Sequence, residues 1–247
     1  MEELISLIKK SNNIIVFTGA GISKDSGIQT FRDKDGLWKD FDPNIYATYE
    51  GFMSDPVRVW QWYLYRYTKI KEAQPNWGHH FVATLEKYFK NFAVITQNID
   101  GLHSKSGSKK VIELHGNIHR VKCCSCKNKY NTDEVNFDIM PPLCECGGLL
   151  RPDVVWFGES LPQKELNMAF TYASNAQLAI VIGTSCLVYP AAEIPFIVKR
   201  NGGAVIEFNP EDTPLTDYAD ISIKDVNDVF YRKLISEITS VFGELND

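Results

Sequence analysis

The chain has 247 residues, of which 44% are apolar and 23% are charged. That length gives one large domain or two modest ones with an ample core, and the composition excludes a disordered or fibrous chain. The 26 Lys and Arg residues against 31 Asp and Glu residues give a net charge of −5, whereas a broad nucleic-acid or anionic-membrane surface normally needs a basic excess. We therefore expect neither direct nucleic-acid binding nor membrane binding.

The N-terminal segment predicts a helix, a strand and then a glycine loop. Apolar residues at helical spacing over 4–8 precede the β-branched run 14–17. Gly19 and Gly21 follow, as in the G-x-G start of a dinucleotide site, where the missing side chains allow close backbone approach to a pyrophosphate. A third glycine is usual at the position of Lys24, and a simple glycine turn explains the pair about as well.

The start of the chain and its apolar runs also bear on location. The residues 1–4 are acidic and carry no basic-then-apolar export signal. The longest apolar runs, such as 178–182, have the length of strands and not of membrane spans. We therefore expect a cytosolic (cytoplasmic) protein.

A helix is predicted after residue 55, because Ser54 or Asp55 can cap it and Pro56 suits its first turn. Tyr63 and Arg66 stand three residues apart and share one face of this helix. A phenol beside a guanidinium could bind a carboxylate through a bidentate fork and one further donor. Composition alone favours the alternative, a core tyrosine and a solvated arginine.

Further short apolar runs recur, and each ends in small or polar residues. The runs are 93–96, 111–114, 178–182 and 204–208, and the residues that follow them include Gln97, Asn98, His115, Gly183 and Asn209. Apolar strands that alternate with helices predict a parallel sheet covered on both faces, with ligands at the carboxyl ends of its strands. A histidine there can act as a general base, but spacing alone does not select His115 among the five histidines.

Five of the six cysteines lie between residues 123 and 146. Cys123-x-x-Cys126 and Cys144-x-Cys146 resemble two zinc knuckles, and four thiolates would form a closed structural zinc site with no open position for catalysis. We choose Cys123 over Cys124 because two-residue spacing is usual in a knuckle. The alternative is a group of reduced cysteines without a metal.

These motifs, in this order, resemble the sirtuin family of NAD-dependent protein lysine deacylases. The segments that carry the resemblance span nearly the whole chain: 19–23, 27–32, 96–103, 113–116, the four knuckle cysteines, 150–159, 183–185 and 188–192. We expect an α/β fold in which a Rossmann-like parallel sheet forms the large NAD-binding domain, beside a smaller zinc-binding and helical domain. The large domain would comprise 1–30, 80–117 and 153–247, and the small one 31–79 and 118–152.

The resemblance also implies which residues bind the co-substrate NAD. Gly19, Ala20 and Gly21 would receive the pyrophosphate, and Ser23 and Arg32 would lie near the phosphates and ribose. Phe31 would cover the nicotinamide pocket. Gln97 and Asn98 would contact the nicotinamide ribose, while Ile99 and Asp100 would hold the carboxamide. On the phosphate and adenosine side the resemblance implies Gly183, Thr184, Ser185, Asn209 and Val226.

For the chemistry, the resemblance implies that His115 is the general base and that Asn98 helps to organise the reacting centre. The amide oxygen of an acyl-lysine would displace nicotinamide, and the products would be free lysine, nicotinamide and acyl-ADP-ribose. The substrate segment would be Val155, Trp156, Phe157, Gly158 and Glu159, paired with the peptide as an added strand. One structural zinc ion would be bound by Cys123, Cys126, Cys144 and Cys146.

In the branch of the family that this helix resembles, Tyr-x-x-Arg recognises the carboxylate of succinyl-lysine or malonyl-lysine. We therefore expect Tyr63 and Arg66 to give desuccinylase and demalonylase activity, with deacetylase activity beside it. Gln29 stands where many members have Pro, and this departure removes no group that the chemistry needs. The alternatives are protein mono-ADP-ribosylation and a non-catalytic NAD-sensing module. We expect a monomer.

Overall fold

The computed structural model describes residues 1–30 and 41–243. Its strands are β1 (Asn13–Thr18), β2 (Asn91–Thr96), β3 (Val111–Glu113), β4 (Gly116–Cys123), β5 (Lys129–Asn131), β6 (Leu150–Val154), β7 (Leu178–Ile182), β8 (Ala204–Phe208) and β9 (Ile221–Ile223). Its helices are α1 (Glu2–Lys10), α2 (Pro43–Tyr46), α3 (Tyr49–Ser54), α4 (Pro56–Glu72), α5 (Trp77–Tyr88), α6 (Leu102–Lys105), α7 (Gln163–Asn175), α8 (Glu193–Arg200) and α9 (Asp228–Phe242). In this described part of the chain, no helix combines the length and the apolar character needed to cross a membrane.

A six-stranded parallel sheet in the order β3-β2-β1-β7-β8-β9 forms the centre of the fold. The chain runs outward from β1 through β2 to β3, and then returns to β7 and runs outward on the other side. The strand order therefore reverses between β1 and β7, which is where sheets of this kind bind ligands. The expected parallel sheet is confirmed.

Alternate residues of the sheet supply two separate apolar cores. In β1, Ile14 and Val16 pack with α1, α5 and α9, whereas Ile15 and Phe17 pack with α7 and α8. This division follows from the strand period of two, which turns successive side chains to opposite faces. Helices on both faces explain why the central strands are almost continuously apolar.

A second, antiparallel sheet in the order β5-β4-β6 packs its apolar side against α4. The three strands of this sheet were not predicted, because β4 and β6 carry charged residues among their apolar ones. Strand β4 begins at Gly116 and β6 ends at Val154. Each of these strands therefore crosses one of the predicted domain boundaries, which lie between residues 117 and 118 and between residues 152 and 153. The two-domain boundaries themselves stay a prediction.

Local capping signals fix the ends of several helices. The Asp55 carboxylate accepts the Arg58 N–H, and Pro56 is the first residue of α4, as predicted. The segment after Gly19 forms a 3-10 helix, Ala20–Ser26. The closing helix α9 begins at Asp228, because the Asn227 side chain caps it by accepting the Phe230 N–H.

Candidate active site

One cavity of about 1450 Å³ borders the carboxyl ends of β1, β2, β7 and β8 and extends to the end of β6. The cofactor and catalytic residues predicted from the sequence that line it are Gly19, Ala20, Gly21, Gln97, Asn98, Ile99, His115, Gly183, Thr184, Ser185, Asn209 and Val226. The predicted substrate residues that line it are Tyr63, Arg66, Val155, Trp156, Phe157, Gly158 and Glu159. The structure therefore brings both predicted groups to one cleft.

The two glycine loops at this edge pack backbone against backbone. The Gly21 N–H donates to the Gly183 carbonyl at 2.8 Å, and the Gly19 N–H donates to the Ile182 carbonyl at 3.0 Å. A Cβ on Gly21 would lie 2.7 Å from the Gly183 Cα, and Gly183 itself has a φ of +59°. Side chains are therefore excluded where the loops meet, which leaves exposed backbone for a pyrophosphate. The backbone surface of these two glycine loops fits a dinucleotide.

Ser23 and Asp100 lie behind this surface. Within the described residues, neither is among those that line the cavity, and both are buried. Asp100 accepts the Ser23 hydroxyl at 2.7 Å, and Asn98 donates through Nδ2 to the Ser23 hydroxyl and the Gly19 carbonyl. Burial raises the pKa of Asp100. These contacts hold Asn98 at the cavity wall. Phe31 and Arg32 fall outside the described residues.

His115 follows β3 and reaches the cavity with a defined ring orientation. Its Nδ1 lies 2.9 Å from the Gln97 carbonyl oxygen. A carbonyl can only accept, so Nδ1 carries the proton and Nε2 keeps its lone pair. Burial lowers the pKa of His115, so the neutral, basic form dominates near neutral pH. The ring is therefore arranged to accept a proton at Nε2.

Tyr63 and Arg66 lie on one face of α4, and both are buried in the cavity wall. The Arg66 guanidinium lies 4.7 Å from the centre of the Trp62 ring and 5.9 Å from that of Tyr63. The Tyr63 hydroxyl accepts the indole N–H of Trp156 at 2.8 Å. Contacts with aromatic side chains therefore hold the Arg66 guanidinium and the Tyr63 hydroxyl in place. Composition favoured a solvated arginine, whereas the structure shows a buried one.

The substrate segment 155–159 is already bonded along much of its backbone. The N–H groups of Val155, Trp156 and Phe157 donate to His115, Glu159 and Ala47, respectively. The remaining N–H groups differ: that of Glu159 donates to the Trp156 carbonyl, and that of Gly158 has no protein acceptor in the described structure. Strand addition by a peptide therefore has to use the Gly158 N–H and carbonyl oxygens of this segment.

The four predicted cysteines converge at one end of the small sheet, where β4 ends and β6 begins. Sγ atoms of Cys123, Cys126, Cys144 and Cys146 all lie within 4.8 Å of one another. The Cys123–Cys146 and Cys126–Cys144 sulfur distances are 3.5 and 3.7 Å, close to the roughly 3.8 Å edge of a tetrahedron of zinc–thiolate bonds. Cys124 is not part of this cluster. The donor set fits one structural zinc ion.

The zinc cluster stands well away from the cleft. Cys123 ends β4, whereas His115 precedes the first residue of that strand. The strand rise places the two ends about 20 Å apart. A metal bound by these cysteines cannot touch the reacting atoms.

Two further features, one in the cleft and one beside it, received no role from the sequence. Leu187, Val188 and Tyr189 line the cavity, and Leu187 and Tyr189 are exposed there. Arg151 is 3% exposed and forms an ion pair with Glu159 of the substrate segment. The sequence signal for this ion pair was a charged residue inside the short strand β6, because a buried arginine requires a partner of opposite charge.

The fold and the cleft define a dinucleotide-binding protein with a structural zinc site. A model of the Sir2 family matches residues 19–190, and the chain belongs to that family, the sirtuins. The chain is 51% identical to an NAD-dependent protein deacylase of Aquifex aeolicus (strain VF5), over 94% of this chain and 97% of that protein.

Solved structures agree with this assignment. A Sir2 homologue in complex with NAD matches with a TM-score of 0.91 at 43% identity, and the match covers 98% of this chain and 95% of that one. A Sir2 structure with a p53 peptide and NAD+ matches with a TM-score of 0.86 at 39% identity, over 96% and 98% of the two chains. The predicted family and fold class are confirmed, and the roles of individual site residues stay predictions.

Proposed function

We propose that this chain, an NAD-dependent protein deacylase, removes succinyl and malonyl groups, and also acetyl groups, from lysine side chains of proteins. The products are free lysine, nicotinamide and acyl-ADP-ribose. The observation that supports the acyl preference is the position of Arg66 and Tyr63, which place a guanidinium and a phenol together in the wall of the cleft.

The electrostatics of Arg66 favour a ligand with a carboxylate. Arg66 is 7% exposed, and burial lowers its pKa, so its surroundings disfavour the positive charge. The guanidinium nevertheless stays charged near neutral pH. A succinyl or malonyl carboxylate brings a negative charge to the guanidinium and takes a bidentate contact from its planar fork. An acetyl group ends in a methyl group and makes no such contact.

His115 and Asn98 form the catalytic end of the cleft. NAD, when bound at the glycine loops, supplies the ADP-ribose that takes up the acyl group. Nε2 of His115 accepts a proton from a hydroxyl there, because Nδ1 is committed to the Gln97 carbonyl. Asn98 is held by Gly19 and Ser23, so its side chain is oriented before a substrate enters.

The substitution Arg66→Met tests the carboxylate contact. We expect kcat/KM for a succinyl-lysine peptide to fall by at least about tenfold, because a charge-assisted hydrogen bond contributes roughly 1.5–3 kcal/mol. The loss with an acetyl-lysine peptide should be far smaller. Nicotinamide release measured with both peptides, and with a malonyl-lysine peptide, gives the comparison.

Arg58 offers a matched control on the same helix. Its guanidinium lies 5.3 Å from the centre of the Tyr46 ring, much as Arg66 lies over Trp62, but Arg58 does not line the cavity. Arg58→Met should therefore leave the ratio of succinyl to acetyl activity unchanged. Equal losses on both substrates in Arg66→Met would refute the preference for a carboxylate.

A further inference from the structure

The hydrogen bond between Trp156 and Tyr63 has a fixed direction. The indole N–H lies 2.8 Å from the phenolic oxygen, and the two side chains are 2% and 3% exposed. An indole nitrogen can only donate, so the Tyr63 oxygen accepts. The hydroxyl proton of Tyr63 must then point away from Trp156.

That hydroxyl proton is available to a ligand. Within residues 1–30 and 41–243, the structure shows no acceptor for the Tyr63 O–H, and Tyr63 lines the cavity beside Arg66. Burial raises the pKa of Tyr63, so the phenol stays protonated in the neutral range. A buried donor without an acceptor favours a ligand that brings one.

The indole ring is itself held in place from several sides. The Arg151 guanidinium lies 3.3 Å from the ring centre of Trp156, and the Phe52 ring centre lies 5.2 Å from it. The backbone N–H of Trp156 donates to Glu159, which also accepts from Arg151 at 2.9 Å. These contacts fix the direction in which the indole N–H points.

We propose that Trp156 is a positioning residue for acyl selection. Its indole N–H donates to the Tyr63 oxygen, so the Tyr63 hydroxyl proton is directed away from Trp156. The phenol can then donate that proton to an acyl group that ends in a carboxylate. This inference rests on the proposed desuccinylase function. Without the indole N–H, the phenol can rotate, and its oxygen lone pairs then face the carboxylate for part of the time. A carboxylate suffers from that change, whereas a methyl group does not.

The test compares kcat/KM for succinyl-lysine and acetyl-lysine peptides of one sequence in Trp156→Phe and in Tyr63→Phe/Trp156→Phe. We expect Trp156→Phe to lower the succinyl-to-acetyl ratio by about three- to tenfold, mainly through KM for the succinyl peptide. In the Tyr63→Phe background, Trp156→Phe should leave the ratio unchanged, because the residue acts through the phenol. Damage to the substrate segment itself affects both peptides and cancels in the ratio.

Trp60 provides the control, since its buried indole N–H donates to the Leu150 carbonyl in the same apolar cluster but the residue does not line the cavity. Trp60→Phe should leave the ratio at its original value. If Trp156→Phe unfolds the chain, 3-benzothienylalanine at position 156 replaces the N–H by sulfur with nearly the same ring shape, and the same fall in the ratio is expected.

The outcomes separate the two proposals. An unchanged ratio in Trp156→Phe, or an equal fall with and without the Tyr63 hydroxyl, overturns the positioning role while Arg66→Met still shows the carboxylate preference. A ratio that Arg66→Met does not change overturns the proposed acyl preference itself.

Discussion

The protonation of His115 sets the pH range in which we expect the enzyme to work. A general base must be neutral, and burial lowers the pKa of His115 from its ordinary value of 6.5. We therefore expect kcat/KM for nicotinamide release and deacylation to fall only when the pH drops below 6.5. His115→Ala should lower turnover by about 100-fold or more and abolish that acidic limb.

His80 is the control for this profile, because it is exposed and does not line the cleft. His80→Ala should keep both the rate and the acidic limb. Full turnover in a folded His115→Ala variant would remove His115 from the role of general base.

Single residues also show why sequence alone could not establish the cofactor site. Gly19 and Gly21 made only a weak pattern, for which a plain turn was an equal explanation. In the structure, a Cβ on Gly19 would lie 2.7 Å from the Thr184 Cβ. The requirement for glycine comes from a loop more than 160 residues away. No local spacing carries that information, and the family resemblance supplied it instead.

At the scale of elements, the zinc site is expected to stabilise the small sheet, since the end of β4, the turn after it and the loop before β6 supply the four sulfur atoms. Reduced, freshly purified protein should contain one zinc ion per chain. Cys126→Ser should lower both the zinc content and the melting temperature, the latter by about 5 °C or more, because a structural metal contributes several kcal/mol to folding.

Cys124→Ser gives the matched comparison, because Cys124 is adjacent in sequence and outside the sulfur cluster. Its zinc content should equal that of the unaltered protein. A zinc content below about half an equivalent in the unaltered, reduced protein would count against a four-cysteine site.

Elements differed in how far sequence could define them. The start of α4 was predictable, because Asp55 and Pro56 act on the backbone within a single turn. Five of the six strands of the parallel sheet, all except β9, were predictable from their apolar runs. In contrast, β9 has three residues at the sheet edge, only partly buried, and its short pattern gave no signal. The strand β6 places the buried charges Arg151 and Asp153 within an apolar run, so its partners had to be seen before it could be assigned.

At the scale of the whole molecule, the predicted architecture depended on one rule that proved sufficient. Polar residues after separate strands were expected to meet, and the parallel sheet brings Gln97, His115, Gly183 and Asn209 to one cavity. The contact of the small sheet with that cavity, at Val154, was not predictable, because it depends on pairing between β4 and β6 over a long intervening segment. The cytosolic location and the monomeric state stay predictions.

Two buried histidines make the stability of the whole fold depend on pH. His79 and His103 have ring centres 5.1 Å apart in the space between α5, α6 and the sheet. Thr18 donates to Thr96, so its oxygen accepts from Nε2 of His103 at 2.9 Å. The other nitrogen, Nδ1, has no partner among the described residues. A proton placed on Nδ1 would therefore create a buried charge without compensation.

This arrangement predicts that acid destabilises the fold well above the pH at which carboxylates titrate. Burial lowers the pKa of His79 to about 2 and that of His103 to about 4, whereas an unfolded histidine has a pKa near 6.5. The unfolded chain thus binds more protons, so stability is complete above pH 6.5 and falls as the pH drops from 6.5 toward 4. Urea unfolding across this range should show that His103→Gln removes up to about 1.4 kcal/mol per pH unit from the slope. The exposed His80→Gln should not change the slope, and equal slopes in all three proteins would show that His103 is not buried in its neutral form.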